Sequence, residues 1–329
     1  MNEILSLFSG VGGIDLAFEN VGFKIILAND IDSFACQTYQ MNFPTTKVLC
    51  GDIKKITETE LPDFDCLIGG FPCQAFSIAG YQKGFDDIRG TLFFEVARIL
   101  KAKQPQVILL ENVKNLVSHD NGKTFEVILN TLKELGYYTR YMVLNACEYG
   151  NIPQNRERIY IVGFLDEEKA NRFYFPQPIR LTKKLSDVID FENKVDEKFY
   201  YPESKFPRII KEMNKFNDTN TLYQWRRQYV RQNKSNMSPT LTANMGTGGH
   251  NVPLIKTQFG VRKLTPKECF NLQGFPKDFI LPNISTAQLY KQAGNSVCVT
   301  VLERIAKNIY DIMSFNVVQA VRKNPSLSS

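Results

Sequence analysis

Short apolar runs alternate with amphipathic stretches over the first 165 residues, and this alternation restricts the fold more than any other feature of the chain. The amphipathic stretches include Leu92–Lys103 and Thr124–Leu135. Strands that alternate with helices are typical of a parallel sheet with helices on both faces. We therefore predict an α/β fold whose strands are the apolar runs Ile4–Phe8, Phe23–Ala28, Lys47–Cys50, Cys66–Gly70, Val107–Leu110, Arg140–Leu144 and Ile159–Phe164.

The character of the sequence changes after Phe164. Residues 175–220 are rich in Pro, Lys, Asp and Asn, and the next segment is basic and aromatic until it becomes rich in glycine at 246–249. Helical periodicity returns at Thr265–Leu272 and Val297–Met313. We predict a main domain formed by residues 1–180 and completed by a C-terminal segment at 285–329, with a smaller, irregular domain at 181–284.

Positive charge is concentrated in the smaller domain. The whole chain carries a formal net charge of +6, but Lys205 to Lys267 contains twelve Lys or Arg against two acids, a net charge of about +10. Segregated charge of this kind favours a surface that faces a polyanion, although a solvated basic face is an equal alternative.

The cysteines and the apolar runs limit the class of protein. The seven cysteines are scattered and no C-x-x-C pair occurs, so we predict no metal site. No apolar run reaches the length of a membrane-spanning helix, and the N-terminus has the pattern of a first strand and not of a signal peptide. We therefore expect a cytoplasmic protein with no membrane partner.

Glycines follow the first apolar run in the segment Phe8-Ser9-Gly10-Val11-Gly12-Gly13. Glycines after a first strand let the backbone turn tightly and approach a ligand, and Asp30, about 20 residues on, can accept hydrogen bonds from ribose hydroxyls. Asp15 replaces the third glycine of a nicotinamide-binding loop. A cofactor with ribose but no pyrophosphate, such as S-adenosylmethionine, therefore fits better than NAD. Asp52, at the end of the third run, can bind an adenine amine, and ordinary turn glycines with surface acids are the alternative.

Cys73 follows the fourth run in the segment Gly69-Gly70-Phe71-Pro72-Cys73-Gln74. This order places the thiol at the carboxyl edge of the sheet, where doubly wound folds bind ligands. Glu111 ends the neighbouring fifth run, whereas His119 and His250 do not end strands, which argues against a Cys–His hydrolase. A carboxylic acid beside a thiol suits protonation of a heteroaromatic ring that sulfur attacks.

Five ordered motifs resemble those of the DNA cytosine-5 methyltransferase family, in particular its bacterial restriction-modification branch. The resemblance covers nearly the whole chain and implies a Rossmann-like S-adenosylmethionine-dependent methyltransferase sheet with a smaller target-recognition domain. The matching motifs are Phe8–Gly12, Pro72-Cys73-Gln74, Glu111-Asn112-Val113, Gln154-Asn155-Arg156-Glu157-Arg158 and Gly294-Asn295-Ser296-Val297.

The resemblance also implies a role for each matching residue. Cys73 attacks C6 of cytosine, Glu111 binds the ring N3 and the exocyclic amine, Arg158 holds the base oxygen, and Arg156 supports the site. S-adenosyl-L-methionine donates the methyl group and leaves as S-adenosyl-L-homocysteine. Ile31 stands where some family members have a Trp that stacks on adenine. The implied cofactor contacts are Phe8, Gly10, Gly12, Asp30, Ile31, Asp52, Ile53, Phe71, Asn295 and Ser296.

Double-stranded DNA is the partner that the resemblance implies, and the target cytosine must leave the base stack. The basic segment resembles the family's target-recognition region, and enzymes with similar segments read short G+C-rich sites such as GCNGC. Phosphate contacts there give salt-dependent binding. A restriction endonuclease acting on the same site is a further expected partner, and we expect a monomer. The implied DNA contacts are Gln74, Ser77, Arg89, Arg226, Arg227, Arg231 and Thr240.

Three alternatives remain open from the sequence. One branch of the same family methylates tRNA, and a catalytically silent DNA-binding relative would share the fold. The intact set of Cys73, Glu111 and Arg158 disfavours the silent relative. An NAD dehydrogenase is the third alternative.

Overall fold

A computed structural model describes residues 2–72, 92–233, 235–246 and 252–323. The described residues form two compact units, one lying within residues 1–144, 157–177 and 301–329 and the other within residues 145–156 and 178–300. Within the described ranges, no helix combines the length and the apolar character needed to cross a membrane.

The first unit is built on a seven-stranded sheet in the order β3-β2-β1-β4-β5-β7-β6. All pairs among β1 to β5 are parallel. The predicted α/β fold is therefore confirmed, and each predicted apolar run corresponds to a strand. The strands are β1 Glu3–Leu7, β2 Lys24–Asp30, β3 Lys47–Cys50, β4 Cys66–Gly70, β5 Val107–Val113, β6 Tyr138–Asn145 and β7 Glu157–Phe164.

One strand departs from the expected parallel sheet. β7 runs antiparallel to β5, so that Val113 at the end of β5 pairs with Arg158 near the start of β7. Mixed sheets with an antiparallel strand near one edge are common among doubly wound folds. The consequence for function is that side chains from the start of β7 lie beside the carboxyl end of β5.

Ten α-helices are described, and several begin at capping side chains. Asp32 accepts from the N–H groups of Phe34 and Ala35, and the box formed by Thr265 and Glu268 begins α8. The helices are α1 Gly13–Glu19, α2 Ser33–Asn42, α3 Leu92–Lys103, α4 Lys123–Glu134, α5 Ala146–Tyr149, α6 Glu167–Arg172, α7 Pro207–Met213, α8 Pro266–Asn271, α9 Thr286–Asn295 and α10 Val299–Lys323.

The core of the first unit lies on the apolar faces of this sheet. It contains Leu5, Leu67 and Ile108 from central strands together with Phe93 and Ile128 from helices, all of them buried. β4 is buried along four of its five residues and β5 along six of seven. Near-continuous burial is typical of the central strands of a parallel sheet, and polar groups at the strand ends are left to form the site.

The second unit contains a four-stranded sheet in the order β11-β10-β8-β9, with antiparallel pairs. Its own apolar cluster includes Met213, Tyr223 and Leu254. The strands are β8 Tyr223–Trp225, β9 Val230–Gln232, β10 Leu254–Thr257 and β11 Gly260–Lys263.

The compact units divide the chain at other places than the predicted segments 1–180, 181–284 and 285–329. Residues 145–156 and 285–300 pack within the second unit. Hydrogen bonds over long sequence separations hold them there, for example from Gln154 to Leu272 and from Thr300 to Gly150. The assignment of catalysis and DNA recognition to particular segments stays a prediction.

Candidate active site

The glycine-containing loop after β1 is held by the end of β2. The N–H of Gly10 donates to Asp30 Oδ2 at 2.7 Å, and the N–H of Ser9 donates to the carbonyl of Asn29 at 3.0 Å. Phe8, Gly10 and Gly12 all have positive φ angles, of 54°, 55° and 86°. The loop therefore turns through conformations that favour glycine, and it positions its backbone against the predicted ribose-binding acid.

Asp30 lies at the end of β2 with its side chain largely withdrawn from solvent. Its other oxygen, Oδ1, accepts from the N–H of Asp32 at 2.8 Å. Burial raises the pKa of this carboxyl, and hydrogen bonds from the backbone N–H groups of Asp32, Gly10 and Ile31 oppose that increase. A carboxylate has about four lone-pair sites, so these three donors leave it able to accept a hydrogen bond from a hydroxyl group of a ligand.

The other predicted cofactor residues near these strand ends differ in exposure. Ile31 is 71% exposed, whereas Ile53 and Phe71 are only 2% and 3% exposed and belong to the hydrophobic core. Asp52 accepts from the N–H of Lys54 at 3.1 Å and begins a short 3-10 helix. The contacts of Ile53 and Phe71 with a cofactor stay predictions.

Asp15 shows why an acid can occupy the third glycine position. It is fully buried at the start of α1 and accepts from Ser6 Oγ at 3.0 Å and from the Tyr39 hydroxyl at 2.8 Å. Burial raises its pKa to about 7, and these two hydrogen bonds oppose the increase. Asp15 is therefore an internal support of the loop, and sequence analysis identified it only by what it replaces.

Glu111 and Arg158 form a nearly buried ion pair at the carboxyl end of β5. Arg158 Nε lies 3.1 Å from Glu111 Oε1. In the sheet, Glu111 pairs with Gly70 of β4, and a Cβ built on Gly70 would lie 3.2 Å from Glu111 Oε2. The carboxylate thus stands over the last residue of the strand that leads towards Cys73.

Asn112 fixes the backbone at that same point, and the site prediction did not include it. Its Nδ2 donates to the carbonyl of Phe71 at 2.8 Å, while its Oδ1 accepts from the N–H of Val113 at 2.8 Å. The predicted nucleophile Cys73 and the predicted DNA contacts Gln74, Ser77 and Arg89 lie outside the described residues. The described part of the site therefore ends at Pro72, two residues after β4.

Arg156, predicted to support catalysis, is buried within the second unit. Its guanidinium donates to the carbonyls of Leu241 at 2.8 Å and Gly294 at 3.1 Å, and also to the carbonyl of Ser296. These contacts make it an organiser of backbone segments. In the predicted cofactor motif, Asn295 is exposed, and the buried hydroxyl of Ser296 has no hydrogen-bond partner among the described residues.

The predicted DNA contacts of the second unit lie mainly on the hairpin that joins β8 to β9. Arg226 and Arg227 stand in its exposed turn, closed by a hydrogen bond from the N–H of Arg226 to the carbonyl of Tyr229. Gln224 Oε1 accepts from Arg226 Nη2 at 3.1 Å and from Arg231 Nη2 at 2.5 Å. Thr240 lies elsewhere, with its hydroxyl donating to the carbonyl of Asn155 at 2.6 Å.

Known proteins resemble this chain along its length. Residues 2–311 match the model of the C-5 cytosine-specific DNA methylase family. The Type II methyltransferase M.Bsp6I of Bacillus sp. (strain RFL6) is 58% identical over 315 residues, which cover 95% of this chain and 100% of the relative. The Type II methyltransferase M.HhaI of Haemophilus parahaemolyticus is 39% identical over 332 residues, with 95% of each chain covered.

Solved structures share the fold. The crystal structure of a DNMT2 mutant from Spodoptera frugiperda has a TM-score of 0.72 and 25% identity, and the match covers 94% of this chain and 100% of that one. The Dnmt2 methyltransferase of S. pombe has a TM-score of 0.70 at 19% identity, with 95% and 99% covered. The family model matches almost the whole length of the chain, and one relative is identical at more than half of the aligned residues, which confirms the predicted resemblance. The chain belongs to the C-5 cytosine-specific DNA methylase family.

Proposed function

We propose that the chain methylates C5 of a cytosine within a specific double-stranded DNA sequence, with Cys73 as covalent nucleophile and S-adenosylmethionine as methyl donor. The observation that carries the proposal is the Glu111–Arg158 pair, held over the end of β4 two residues before Pro72 and three before Cys73. Family membership supplies the reaction class.

The pair suits the two polar edges of a cytosine ring. Arg158 donates to the base oxygen, while Glu111 binds N3 and the exocyclic amine and holds a proton at N3 as the ring gains electrons. The Cys73 thiolate adds to C6, and the displaced ring electrons make C5 a nucleophile. After methylation, loss of the C5 proton expels the thiolate from C6 and restores the aromatic ring.

The strand ends of the first unit have the features that an adenosine-containing cofactor needs. Asp30 keeps acceptor capacity beyond its backbone donors, and a Cβ on Gly10 would meet nothing within 4 Å, so open space lies beside the loop. Separately, in the second unit, the buried Ser296 hydroxyl has no hydrogen-bond partner among the described residues, and we keep it as a proposed cofactor contact. Bound S-adenosylmethionine supplies an electrophilic methyl group on its sulfonium centre.

DNA binding is assigned to the basic hairpin and to Thr240. Arg226, Arg227 and Arg231 are exposed on the hairpin, where cations can contact phosphates or guanine edges. We propose that the flipped nucleotide and its surroundings are contacted by Gln74, Ser77 and Arg89. Taking the target cytosine out of the base stack costs about a few kcal/mol. Similarity to Type II methyltransferases favours a restriction-modification role with a separate endonuclease, and we propose a monomer.

Methyl transfer from tritiated S-adenosylmethionine to duplex DNA and to tRNA tests this function. We expect label in duplex DNA, and bisulfite sequencing of DNA from an expressing host then identifies the modified sequence. Label confined to tRNA would contradict the DNA assignment. Absence of label from both would contradict methylation of cytosine in either nucleic acid.

A further inference from the structure

The segment from Pro153 to Arg156 is bound along its length to the residues around Thr240. The N–H of Asn155 donates to the carbonyl of Ser238 at 2.8 Å, and the N–H of Ser238 donates to the carbonyl of Pro153 at 2.6 Å. The N–H of Leu241 donates to Gln154 Oε1 at 3.2 Å. The backbone leading to the predicted DNA contact Thr240 is therefore attached to this segment and cannot shift independently of it.

Gln154 extends the network to a second part of the chain. Its Nε2 donates to the carbonyl of Leu272 at 2.6 Å and lies 3.5 Å from Gln273 Oε1. Gln273 Nε2 in turn donates to the carbonyl of Ala293 at 2.9 Å. Both glutamine side chains are fully buried, so each hydrogen bond is made away from water and is costly to leave unmade.

Arg156 joins the two ends of this network directly. One guanidinium nitrogen, Nη1, binds the carbonyl of Leu241, while Nη2 binds the carbonyls of Gly294 and Ser296. The close approach of the backbone at Gly294 to the backbone at Thr242 also requires glycine, because a Cβ on Gly294 would lie 2.1 Å from the carbonyl carbon of Thr242. The 240–242 segment, which contains the predicted DNA contact Thr240, and the 294–296 motif, which contains the predicted cofactor contacts Asn295 and Ser296, thus share one buried cation and direct backbone contact.

A planar guanidinium can bind several carbonyls in a fixed geometry, which a lysine ammonium on its flexible stem cannot reproduce. If Leu241 were displaced relative to Ser296, at least one buried N–H group of the Arg156 guanidinium would lose its carbonyl acceptor. The two segments must therefore move together, and a ligand that orders one of them reduces the cost of ordering the other.

We infer that Gln154, Arg156 and Gln273 are positioning residues that couple cofactor binding to DNA binding, by holding the 240–242 segment and the 294–296 motif in one arrangement. The inference rests on the proposed function, since it takes Thr240 as a DNA contact and Asn295 and Ser296 as cofactor contacts. Coupling of this kind is reciprocal: DNA tightens cofactor binding by the factor with which the cofactor tightens DNA binding.

Calorimetric titration of S-adenosylhomocysteine in the presence and absence of a duplex that the protein methylates measures this factor. For the wild-type chain we expect DNA to lower the dissociation constant by about fivefold or more. Gln154→Met removes all three of that side chain's hydrogen bonds at similar volume. Arg156→Lys keeps the positive charge but loses the planar, several-donor guanidinium. In both variants we expect the factor to fall below about twofold.

Arg262→Lys is the matched control. Arg262 is a fully buried arginine of the same unit, and it forms a bidentate pair with Glu268 at 2.8 and 2.7 Å, without hydrogen bonds to either coupled segment. We expect this control to lower the melting temperature while leaving the coupling factor at the wild-type value. Loss of coupling in the control as well would overturn the inference, because the effect would then be general destabilisation.

The remaining outcomes separate the inference from the proposed function. An unchanged coupling factor in folded Gln154→Met and Arg156→Lys, or no coupling in a wild-type chain that methylates DNA, overturns the inference alone. A wild-type chain that binds S-adenosylhomocysteine but methylates no DNA overturns the proposed function instead.

Discussion

Arg158 Nε lies 3.1 Å from Glu111 Oε1, and each of the two side chains is close to nine-tenths buried. The pair arises because β7 runs antiparallel to β5, which brings the start of one strand beside the end of the other. A charged pair removed from water is costly unless it is well bonded. The pair lies at the carboxyl end of β5, and this position favours a function for both charges beyond mutual stabilisation.

Glu111→Gln tests this function. The amide keeps the shape of the side chain but cannot hold a carboxylate charge or deliver a proton to the ring, so we expect kcat to fall by about 100-fold or more. Single-turnover methylation measures the chemical step, and circular dichroism checks that the variant is folded. A folded variant with wild-type kcat would remove Glu111 from the mechanism.

Asp15→Asn tests the buried acid beneath the glycine-containing loop. The pKa of Asp15 is raised to about 7 by burial, so the folded chain holds a proton that the unfolded chain releases at lower pH. The contribution of Asp15 to stability is therefore present below its unfolded pKa of about 4 and is lost as pH rises through about 7. Asn does not titrate.

We accordingly expect the free energy of unfolding of Asp15→Asn, relative to wild type, to increase between about pH 5 and about pH 8, by an amount on the order of a few kcal/mol. Urea denaturation at several pH values measures it. A difference independent of pH would show that Asp15 ionises as easily in the folded chain as in the unfolded one.

Gly10 and Gly12 provide a matched pair of substitutions. Both have positive φ, so alanine costs about 1 kcal/mol of strain at either position. A Cβ on Gly12 would lie 2.3 Å from Phe43 Cε2, whereas one on Gly10 would meet nothing within 4 Å. We expect Gly12→Ala to lower the melting temperature more than Gly10→Ala does.

The same pair separates folding from ligand binding. Because the space beside Gly10 is open, we expect Gly10→Ala to stay folded and to bind S-adenosylmethionine at least about tenfold more weakly, if that space holds the cofactor. Calorimetry measures the affinity. Wild-type affinity in Gly10→Ala would place the cofactor elsewhere.

The basic hairpin predicts a characteristic dependence on salt. If Arg226 and Arg231 each contact a phosphate, replacing either by Ala reduces the slope of log K against log salt by about 0.9. Fluorescence anisotropy with a labelled duplex measures the slope, and Lys133→Ala, an exposed cation of α4 in the first unit, is the control. Equal slopes in all three variants and the wild type would argue against phosphate contacts by the hairpin.

Local patterns predicted the strands well, because each is an apolar run bounded by polar residues. β3 and β4 begin and end at the predicted residues, as does the helix Leu92–Lys103. The antiparallel direction of β7 was not predicted, since an apolar run carries no information about strand direction. The burial of Ile53 and Phe71 in the core was likewise not predicted, and their contacts with a cofactor stay predictions.

The network around Gln154 and Arg156 could not be predicted for another reason. The hydrogen bonds from these two side chains to Leu272, Leu241 and Ser296 join residues 85 to 140 apart, and each acceptor is a backbone carbonyl. Any residue type carries a carbonyl, so no motif marks such partners in the sequence. Arg156 was placed at the site because of its motif, but its actual contacts depend on the folded path of distant segments.

Covalent trapping on duplex DNA that contains 5-fluorocytosine in the methylated sequence tests the central claim most directly, because fluorine at C5 blocks release of the thiolate. With S-adenosylmethionine present, we predict an adduct that survives denaturation and that peptide mass spectrometry locates at Cys73, while Cys73→Ser still binds DNA but forms no adduct. Absence of an adduct from a wild-type chain that methylates the unmodified duplex, or an adduct at another residue, would contradict the account.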